Sequence, residues 1–272
     1  MKLDINKKFT LTTKVEQEHI DFYNHFGFIH YKNFISDEHV QKIWKSIENA
    51  HDKLIAEGVE MLHGIPIKFG KDENGKAIIH RLPFTNVVAD EVAKLYNDPR
   101  FEMLKNFIPN FEPRFGFKEK DGVVTNYYIN TENSNFRQMG WHTDVTRDVA
   151  MGKKLLPMIN VGIYLDDSTE KNGGLRIIPC SQNQNMLSML FKKVQFVNTK
   201  KDPKEILLKA NAGDLALHDG RMWHRVGKSD FMGAPSRRRV MYVPIICGDV
   251  EERNAHSKTP FYHKLKIFAK HK

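Results

Sequence analysis

The sequence predicts an α+β fold that is mainly β, because segments with helical spacing come first and short strand-like segments follow. Residues 15–107 are largely helical in pattern. Residues 115–248 consist mostly of short β-branched and aromatic runs separated by turns, which is the rhythm of an antiparallel barrel or sandwich. No repeat or low-complexity linker divides the 272 residues, so we expect a single domain over 1–272 with a basic C-terminal tail.

Within the helical part, a strand separates two helices. Residues 15–57 have helical spacing apart from a strand-like run at 26–31, and Ser36 is suited to cap the helix that follows. Residues 58–86 are mixed and rich in turn signals. Residues 89–107 predict one or two further helices.

Composition excludes several classes of protein. The hydrophobic content of 40% and the aromatic content of 11% are ordinary for a globular chain. No apolar run approaches the ~18 residues of a membrane span, and the N-terminus lacks the apolar centre of a signal peptide. The two cysteines, Cys180 and Cys247, form no Cys-x-x-Cys pair, so we expect neither a disulfide framework nor a structural zinc site. A cytoplasmic location fits these features.

The formal net charge of +9 admits more than one interpretation. The positive residues are scattered apart from 237–239 and the tail 263–272. No nucleic-acid-binding module is recognisable, so we expect no nucleic-acid partner. The tail is either a solvated terminal segment or a contact for an anionic surface. A small anionic substrate is also compatible with the charge.

The run Trp141-His142-Thr143-Asp144 carries the clearest chemical signal. A histidine and a carboxylate two positions apart point the same way on an extended strand, and β-branched and aromatic runs lie on both sides of this motif. A second His-x-Asp, His19 and Asp21, lies in a stretch with helical spacing, where residues two apart do not face each other. We therefore expect His142 and Asp144 to be adjacent metal ligands. The alternative is a structural His–Asp hydrogen bond.

A third ligand is available later in the chain, from His218 or His224. Two histidines and one carboxylate on one side of a metal leave the other side open, which is the arrangement of non-haem iron(II) enzymes that use dioxygen. This set therefore predicts oxygen chemistry.

The ordered motifs resemble those of the phytanoyl-CoA dioxygenase family of iron(II)- and 2-oxoglutarate-dependent oxygenases. The resemblance covers most of the chain. It implies a double-stranded β-helix, also called a jelly roll and similar to the cupins, with added N-terminal helices. The segments that carry it are 22–29, Trp141-His142-Thr143-Asp144, 165–175 with Pro179, Ala212-Gly213-Asp214-Leu215, and Arg238-Arg239-Val240-Met241-Tyr242.

The resemblance also implies roles for individual residues. His142, Asp144 and His224 would be the catalytic iron ligands, since His224 follows an Arg-Met-Trp turn as the family's distal ligand does. His218 is then a packed or hydrogen-bonded histidine. Arg238 would bind the distal carboxylate of 2-oxoglutarate, with the neighbouring arginines at 237 and 239 as competitors.

The implied reaction uses Fe(II), 2-oxoglutarate and dioxygen to hydroxylate an unactivated C–H bond of a small metabolite, which is free or bound to CoA or a carrier. A carboxylate at Asp144 favours hydroxylation over halogenation, because the related halogenases have a small residue there. The alternatives are a cupin-like metalloenzyme that does not use 2-oxoglutarate and a non-catalytic binding protein.

Three positions depart from the family pattern: Cys180, Gln182 and Val226. They affect local shape and a cosubstrate contact rather than the metal ligands. Loops on a rigid scaffold usually carry specificity, so we expect 58–86 and 183–208 to lie over the mouth of the site. The basic residues expected near this mouth are Arg147, Arg221 and Arg225. Asn126, Tyr128 and Asn130 alternate onto one face of a strand that could also look into the site.

Overall fold

The computed structural model describes residues 3–132, 134 and 136–264. The predicted basic tail lies outside the described residues from position 265 onward. Within the described part, no helix is both long enough and apolar enough to cross a bilayer.

The helices are concentrated in the first half of the chain, as predicted. They are α1 Gln17–Phe26, α2 Asp37–Ala56, α3 Thr85–Val88, α4 Asp90–Leu95, α5 Pro99–Leu104, α6 Thr146–Ala150, α7 Met186–Phe191 and α8 Phe261–Lys264, with 3-10 turns at Lys105–Phe107, Ser181–Asn183 and Ala234–Ser236.

The strands run through the whole described chain. They are β1 Phe28–Tyr31, β2 Met61–Leu62, β3 Ile65–Pro66, β4 Lys68–Lys71, β5 Ala77–Leu82, β6 Arg114–Phe115, β7 Val124–Tyr128, β8 Met139–His142, β9 Met158–Tyr164, β10 Leu175–Ile177, β11 Ile206–Leu208, β12 Leu215–Asp219, β13 His224–Val226 and β14 Arg238–Ile246.

The longest helix, α2, forms for local reasons that the sequence makes clear. The Ser36 hydroxyl accepts a hydrogen bond of 3.2 Å from the His39 amide, which caps the first turn. The residues buried by α2 recur every three or four positions, so one face of the helix packs inward. They are Val40, Ile43, Ile47, Ala50, His51 and Leu54.

Two antiparallel sheets form the core. The larger has the order β1-β12-β9-β14-β7-β5-β4, with β6 also paired to β14, and the smaller has the order β11-β10-β13-β8. Leu175 and Val226 of the smaller sheet belong to the same buried cluster as Val161 and Met241 of the larger sheet. The architecture is therefore mixed helix and sheet, dominated by sheet, with one apolar core common to both sheets.

The N-terminal part is less separate from the β core than its helical pattern suggests. β1 pairs with β12, and β5 pairs with β7, so both strands belong to the larger sheet. The unpaired edge of a sheet can bind a strand from a distant part of the chain. The strands that lie between the N-terminal helices therefore join the β core, and the helices do not form a separate unit.

Strand alternation divides the larger sheet into two faces that serve different purposes. On β14, Arg238 and Tyr242 point to one face, whereas Arg239 points to the other and lies 4.0 Å from the ring centroid of Trp44 on α2. Antiparallel register aligns Asn160 of β9 with His218 of β12. The even-numbered residues of β9, β12 and β14 therefore share the face on which the site is built.

Candidate active site

The first two predicted ligands lie at the end of β8, but not both on the strand. β8 ends at His142, and Asp144 lies in the turn before α6. The Asp144 amide donates a hydrogen bond of 2.9 Å to the Gly220 carbonyl, which fixes this turn against the segment leading to His224. The expectation of one extended strand through Asp144 is therefore wrong, and a tertiary hydrogen bond orients the carboxylate instead.

A glycine allows the neighbouring loop to lie close to β8. A Cβ atom on Gly140 would lie 2.4 Å from the Phe196 carbonyl oxygen. Trp141 donates its amide proton to the Asn198 carbonyl and accepts one from the Phe196 amide. These bonds hold the Phe196 ring stacked on the His142 imidazole, with 4.5 Å between centroids. The predicted mouth segment 183–208 thus reaches the site through Phe196.

The third ligand candidate reaches the site through strand pairing. His224 is the first residue of β13 and lies directly opposite His142 of β8 in the antiparallel register. Their ring centroids are 4.1 Å apart. One ligand atom each of His142, Asp144 and His224 lies within 4.8 Å of the other two. The structure therefore brings together the three side chains that the sequence predicted.

In both histidines a hydrogen bond from Nδ1 leaves Nε2 unprotonated and able to bind a metal. Nδ1 of His142 lies 2.8 Å from the Gly140 carbonyl oxygen, and Nδ1 of His224 lies 3.1 Å from that of Met222. A carbonyl only accepts, so each Nδ1 carries the proton and each Nε2 presents a lone pair. This donor set fits Fe(II), which takes imidazole and carboxylate ligands.

Burial and neighbouring groups favour the protonation states that metal binding requires. Burial lowers the pKa of His224 well below its ordinary value, and His142 lowers it further. Burial by itself would raise the pKa of Asp144, but the adjacent imidazoles, with His224 first, outweigh it and hold the pKa of this carboxyl below its usual range. A neutral His224 imidazole beside the ionised Asp144 carboxylate can bind a divalent cation without first losing a proton.

His218 supports the carboxylate and is not part of the three-ligand cluster. It lies on β12, and its Nε2 is 3.3 Å from Oδ2 of Asp144. The side-chain amide of Asn160 donates to the same oxygen at 3.2 Å. The geometry agrees with the interpretation of His218 as a hydrogen-bonded histidine.

Arg238 is a buried cation, and the structure describes no carboxylate bonded to it. Its guanidinium, 5% exposed as a residue, donates to the Gly227 carbonyl at 3.1 Å and lies 5.2 Å from the Tyr128 ring centroid. Burial lowers its pKa to about 10, so it stays charged at neutral pH. Its Nε has no hydrogen-bond partner among the described residues. A Cβ on Gly173 would lie 2.8 Å from Cζ, so glycine is needed beside the guanidinium.

The other two arginines of the run are engaged elsewhere. Arg239 forms a bidentate pair with Asp166, with distances of 2.7 and 2.6 Å. Arg237 precedes β14 and lies 3.9 Å from the same carboxylate. Alternation along the extended backbone places Arg237 and Arg239 on the side opposite to Arg238.

One cavity of about 210 Å³ contains the three ligand candidates. Asn126 and Tyr128 line it, as the alternation on β7 suggested. The side-chain amide of Asn130 instead donates to the Ser229 and Phe231 carbonyls. Val226, which departs from the family pattern, also lines the cavity.

The prediction that three basic residues lie at the mouth of the site is correct for one of them. Arg147 lines the cavity. Arg221 instead pairs with Asp219, and Arg225 pairs with Glu205, whose side chain has no exposed surface. Neither lines the cavity, because the strand and turn that carry them direct these side chains toward other carboxylates.

Sequence reasoning missed two basic side chains that line the cavity, Arg81 and Lys120. Arg81 lies in segment 58–86, which the sequence predicted to lie over the mouth, but Arg81 itself was not predicted to line the site. Lys120 has a left-handed backbone, with φ of 54°, in the turn before β7. No sequence pattern marked it.

The Cys180 departure has a structural consequence. Cys180 adopts φ of 62°, the left-handed conformation that favours glycine, and its amide donates to the Phe26 carbonyl at 3.0 Å. Gln182 is buried next to it, 5% exposed. Cys180 therefore adopts, without being a glycine, a backbone conformation that glycine favours.

Comparisons with known proteins give a family and a fold. Residues 23–231 match the phytanoyl-CoA dioxygenase (PhyH) family. No curated protein sequence matches the chain significantly.

Similar solved structures include EctD from S. alaskensis with 2-oxoglutarate and 5-hydroxyectoine, which is 16% identical with a TM-score of 0.64, over 96% of this chain and 88% of EctD. HygX from Streptomyces hygroscopicus with nickel and 2-oxoglutarate is 15% identical with a TM-score of 0.60, over 88% and 89% of the two chains. SnoK, a non-heme alpha ketoglutarate dependent carbocyclase from nogalamycin biosynthesis, is 15% identical with a TM-score of 0.61, over 92% and 91%. At these identities the likeness shows a shared fold.

Proposed function

The chain belongs to the phytanoyl-CoA dioxygenase family, and we propose that it hydroxylates an unactivated C–H bond of a small metabolite. As a member of this family it is a 2-oxoglutarate-dependent oxygenase, with iron as its cofactor and 2-oxoglutarate and dioxygen as cosubstrates. We further propose that its two-sheet core is a jelly roll, and that the chain forms one domain.

In this proposal His142, Asp144 and His224 hold the iron. The observation that carries it is that three ligand atoms of the types Fe(II) prefers lie within 4.8 Å of one another on the wall of a cavity. Iron bound there would supply the oxidising chemistry, with dioxygen as the oxidant and with 2-oxoglutarate as the cosubstrate that yields succinate and carbon dioxide. The residues of the chain position the metal, orient the substrate and restrict water.

Arg238 binds the distal carboxylate of 2-oxoglutarate. A guanidinium can make two parallel charge-assisted bonds to a carboxylate, and a buried cation without an anion is costly. Among the described residues no carboxylate lies within ion-pair distance of Arg238. An exogenous carboxylate would supply the missing charge, which favours this function over a cupin-like enzyme that does not use 2-oxoglutarate.

The proposal also concerns the type of reaction, which is hydroxylation rather than cyclisation or halogenation. The similar structure SnoK is a carbocyclase, so the fold alone accommodates outcomes besides hydroxylation. The carboxylate of Asp144 occupies the position that is a small residue in the related halogenases, and this supports oxygen transfer rather than halogenation.

The proposal is tested by assaying succinate release with Fe(II), ascorbate and 2-oxoglutarate across a panel of small metabolites. We expect succinate release that requires Fe(II) and 2-oxoglutarate, rises with one class of compound, and yields a product heavier by one oxygen atom. The His224→Ala variant is the matched control and should lack activity. Metal binding without 2-oxoglutarate consumption would contradict the proposal, as would a product without added oxygen.

A further inference from the structure

Two arginines share one carboxylate at the mouth of the metal cavity. The Arg81 guanidinium lies 2.7 Å from Oδ2 of Asp121, and that of Arg147 lies 3.1 Å from the same oxygen. The three side chains are largely buried, with exposed fractions of 16%, 20% and 9% in the order Arg81, Arg147, Asp121. Two guanidinium groups therefore meet at one carboxylate oxygen, in a setting where water screens charges poorly.

Further cations lie next to this group. Lys120 pairs with Asp148 at 2.5 Å, and its Nζ is 3.7 Å from Sδ of Met158. Burial, and then Arg147, lower the pKa of Lys120. Burial, and then Arg81, lower the pKa of Lys68 to about 8. This cluster therefore contains four cations, Lys68, Arg81, Lys120 and Arg147, and the carboxylates Asp121 and Asp148, with the proposed metal ligand Asp144 lining the same cavity.

Three of these cations face the place where a substrate would bind. Arg81, Lys120 and Arg147 line the same cavity as His142 and Asp144. Lys120 and Arg147 also line a neighbouring cavity of about 310 Å³, so they stand between the metal cavity and this second space. An anion approaching along either wall would meet the same two side chains.

We propose that the substrate carries a carboxylate or phosphate group, and that Arg147 and Lys120, with Arg81 beside them, bind this group at the mouth of the metal cavity. This inference rests on the proposed function and names the substrate class. It assigns separate tasks to two basic regions, since Arg238 is reserved for the cosubstrate. Arg147 is carried by α6, which begins two residues after Asp144, so one short segment sets both the anion site and a metal ligand.

The binding of small anions tests the inference without knowledge of the substrate. The full-length, metal-loaded protein is saturated with 2-oxoglutarate under anaerobic conditions, which occupies the cosubstrate site and prevents turnover. Inorganic phosphate, propionate and propionamide are then titrated by calorimetry. We expect at least one of the two anions to bind and propionamide, the neutral match of propionate, not to bind. The tighter anion identifies the acidic group of the substrate.

Variants then locate the binding site. Arg147→Gln and Lys120→Met should each weaken binding of the anion by about tenfold, because each removes one charged hydrogen-bond donor. Lys120→Arg should largely restore it. Arg237→Gln is the matched control, because it removes the same charge from a side chain that is 41% exposed and does not line the cavity. Circular dichroism and thermal unfolding verify that each variant folds.

Two results would overturn the inference. One is that neither anion binds the wild-type protein, and the other is that Arg147→Gln and Lys120→Met bind the anion as tightly as Arg237→Gln does. The succinate assay on the same preparations separates this failure from failure of the proposed function. Succinate release without anion binding contradicts only the anion site, whereas anion binding without any 2-oxoglutarate consumption contradicts the proposed function.

Discussion

The two oxygens of Asp144 face different histidines: Oδ2 lies 3.3 Å from Nε2 of His218, and Oδ1 lies 3.7 Å from Nε2 of His224. His218 reaches the carboxylate from β12 of the larger sheet, and His224 from β13 of the smaller one. Because Asn160 also donates to Oδ2, that oxygen is occupied by protein donors. Oδ1 is the oxygen left to bind a metal beside His224.

Metal affinity should therefore distinguish His218 from the three proposed ligands. We expect His142→Ala, Asp144→Ala and His224→Ala to abolish stoichiometric Fe(II) binding. His218→Ala should weaken it by roughly 10–100-fold, as loss of a residue that orients a ligand typically does. Anaerobic titration of the apo-protein measures the affinities, with the exposed His256→Ala as control. If His218→Ala abolished Fe(II) binding while His224→Ala retained it, His218 would be the ligand and His224 the supporting residue.

The two neighbouring arginines of β14 should respond in opposite ways to the same substitution. Arg238→Gln should weaken 2-oxoglutarate binding by about 2–5 kcal/mol, because it removes a charged pair in a buried setting, and should leave metal binding intact. Arg239→Gln should lower the free energy of unfolding, since it breaks the bidentate pair with Asp166, and should leave 2-oxoglutarate affinity unchanged. Calorimetry and urea unfolding measure the two effects. The reverse pattern would show that Arg238 is structural.

Arg225 is expected to stabilise the fold rather than to attract substrate. Its guanidinium is bonded at 2.9 and 2.6 Å to Glu205, which also lies 3.5 Å from Arg176. Glu205→Gln should lower the free energy of unfolding by about 3–5 kcal/mol, because it leaves buried cations without their anion. Urea unfolding tests this, with the exposed neighbour Lys204→Gln as control. A change below about 1 kcal/mol would place the pair among weak surface contacts.

The stability of the protein should depend on pH through His51. Burial lowers the pKa of His51 to about 4 from an ordinary value of 6.5, and its Nε2 has no hydrogen-bond partner among the described residues. The fold therefore favours the neutral ring. Above pH 6.5 the ring is neutral in both the folded and the unfolded chain, and the free energy of unfolding is not reduced by His51. As the pH falls toward 4, the free energy of unfolding decreases, because the unfolded chain takes up the proton first.

The loss should reach up to about 3 kcal/mol at acidic pH. Comparing the wild type with His51→Gln isolates this residue from other titrating groups. We expect the variant to show a shallower fall in unfolding free energy between neutral and acidic pH, as measured by urea unfolding. The exposed His256→Gln control should retain the wild-type profile. Parallel curves for the wild type and His51→Gln would contradict the role of His51.

Features that depend on neighbours in the chain were predictable from the sequence. Ser36 caps α2 as expected, since capping uses the side chain and an amide three residues later. The helical placement of His19 and Asp21 on α1 excluded that pair correctly, because helix geometry separates residues two apart. Alternation along β14 likewise predicted that Arg238 and Arg239 point to opposite faces, and their side chains contact different partners.

Features that depend on distant segments were not predictable in this way. Asp144 lies beyond the end of β8, and its orientation is set by a hydrogen bond to Gly220. The N-terminal strands β1 and β5 join the larger sheet by pairing with strands far along the chain. Side-chain spacing carries no information on which edge of a sheet a remote strand will complete.

The sequence by itself determined the kinds of chemical groups available, which are two histidines and an arginine on strand-forming segments and a carboxylate just beyond one of them. The family resemblance favoured His224 over His218 as a ligand, but only the tertiary structure decided that His224 lies opposite His142 and that His218 contacts Asp144. The same holds for the charges, since Arg81 and Lys120 line the cavity, whereas Arg221 and Arg225 are paired elsewhere. The physical reason is that residue type and strand period are local properties, whereas cross-strand register and the choice of ion-pair partner depend on atoms brought together by folding.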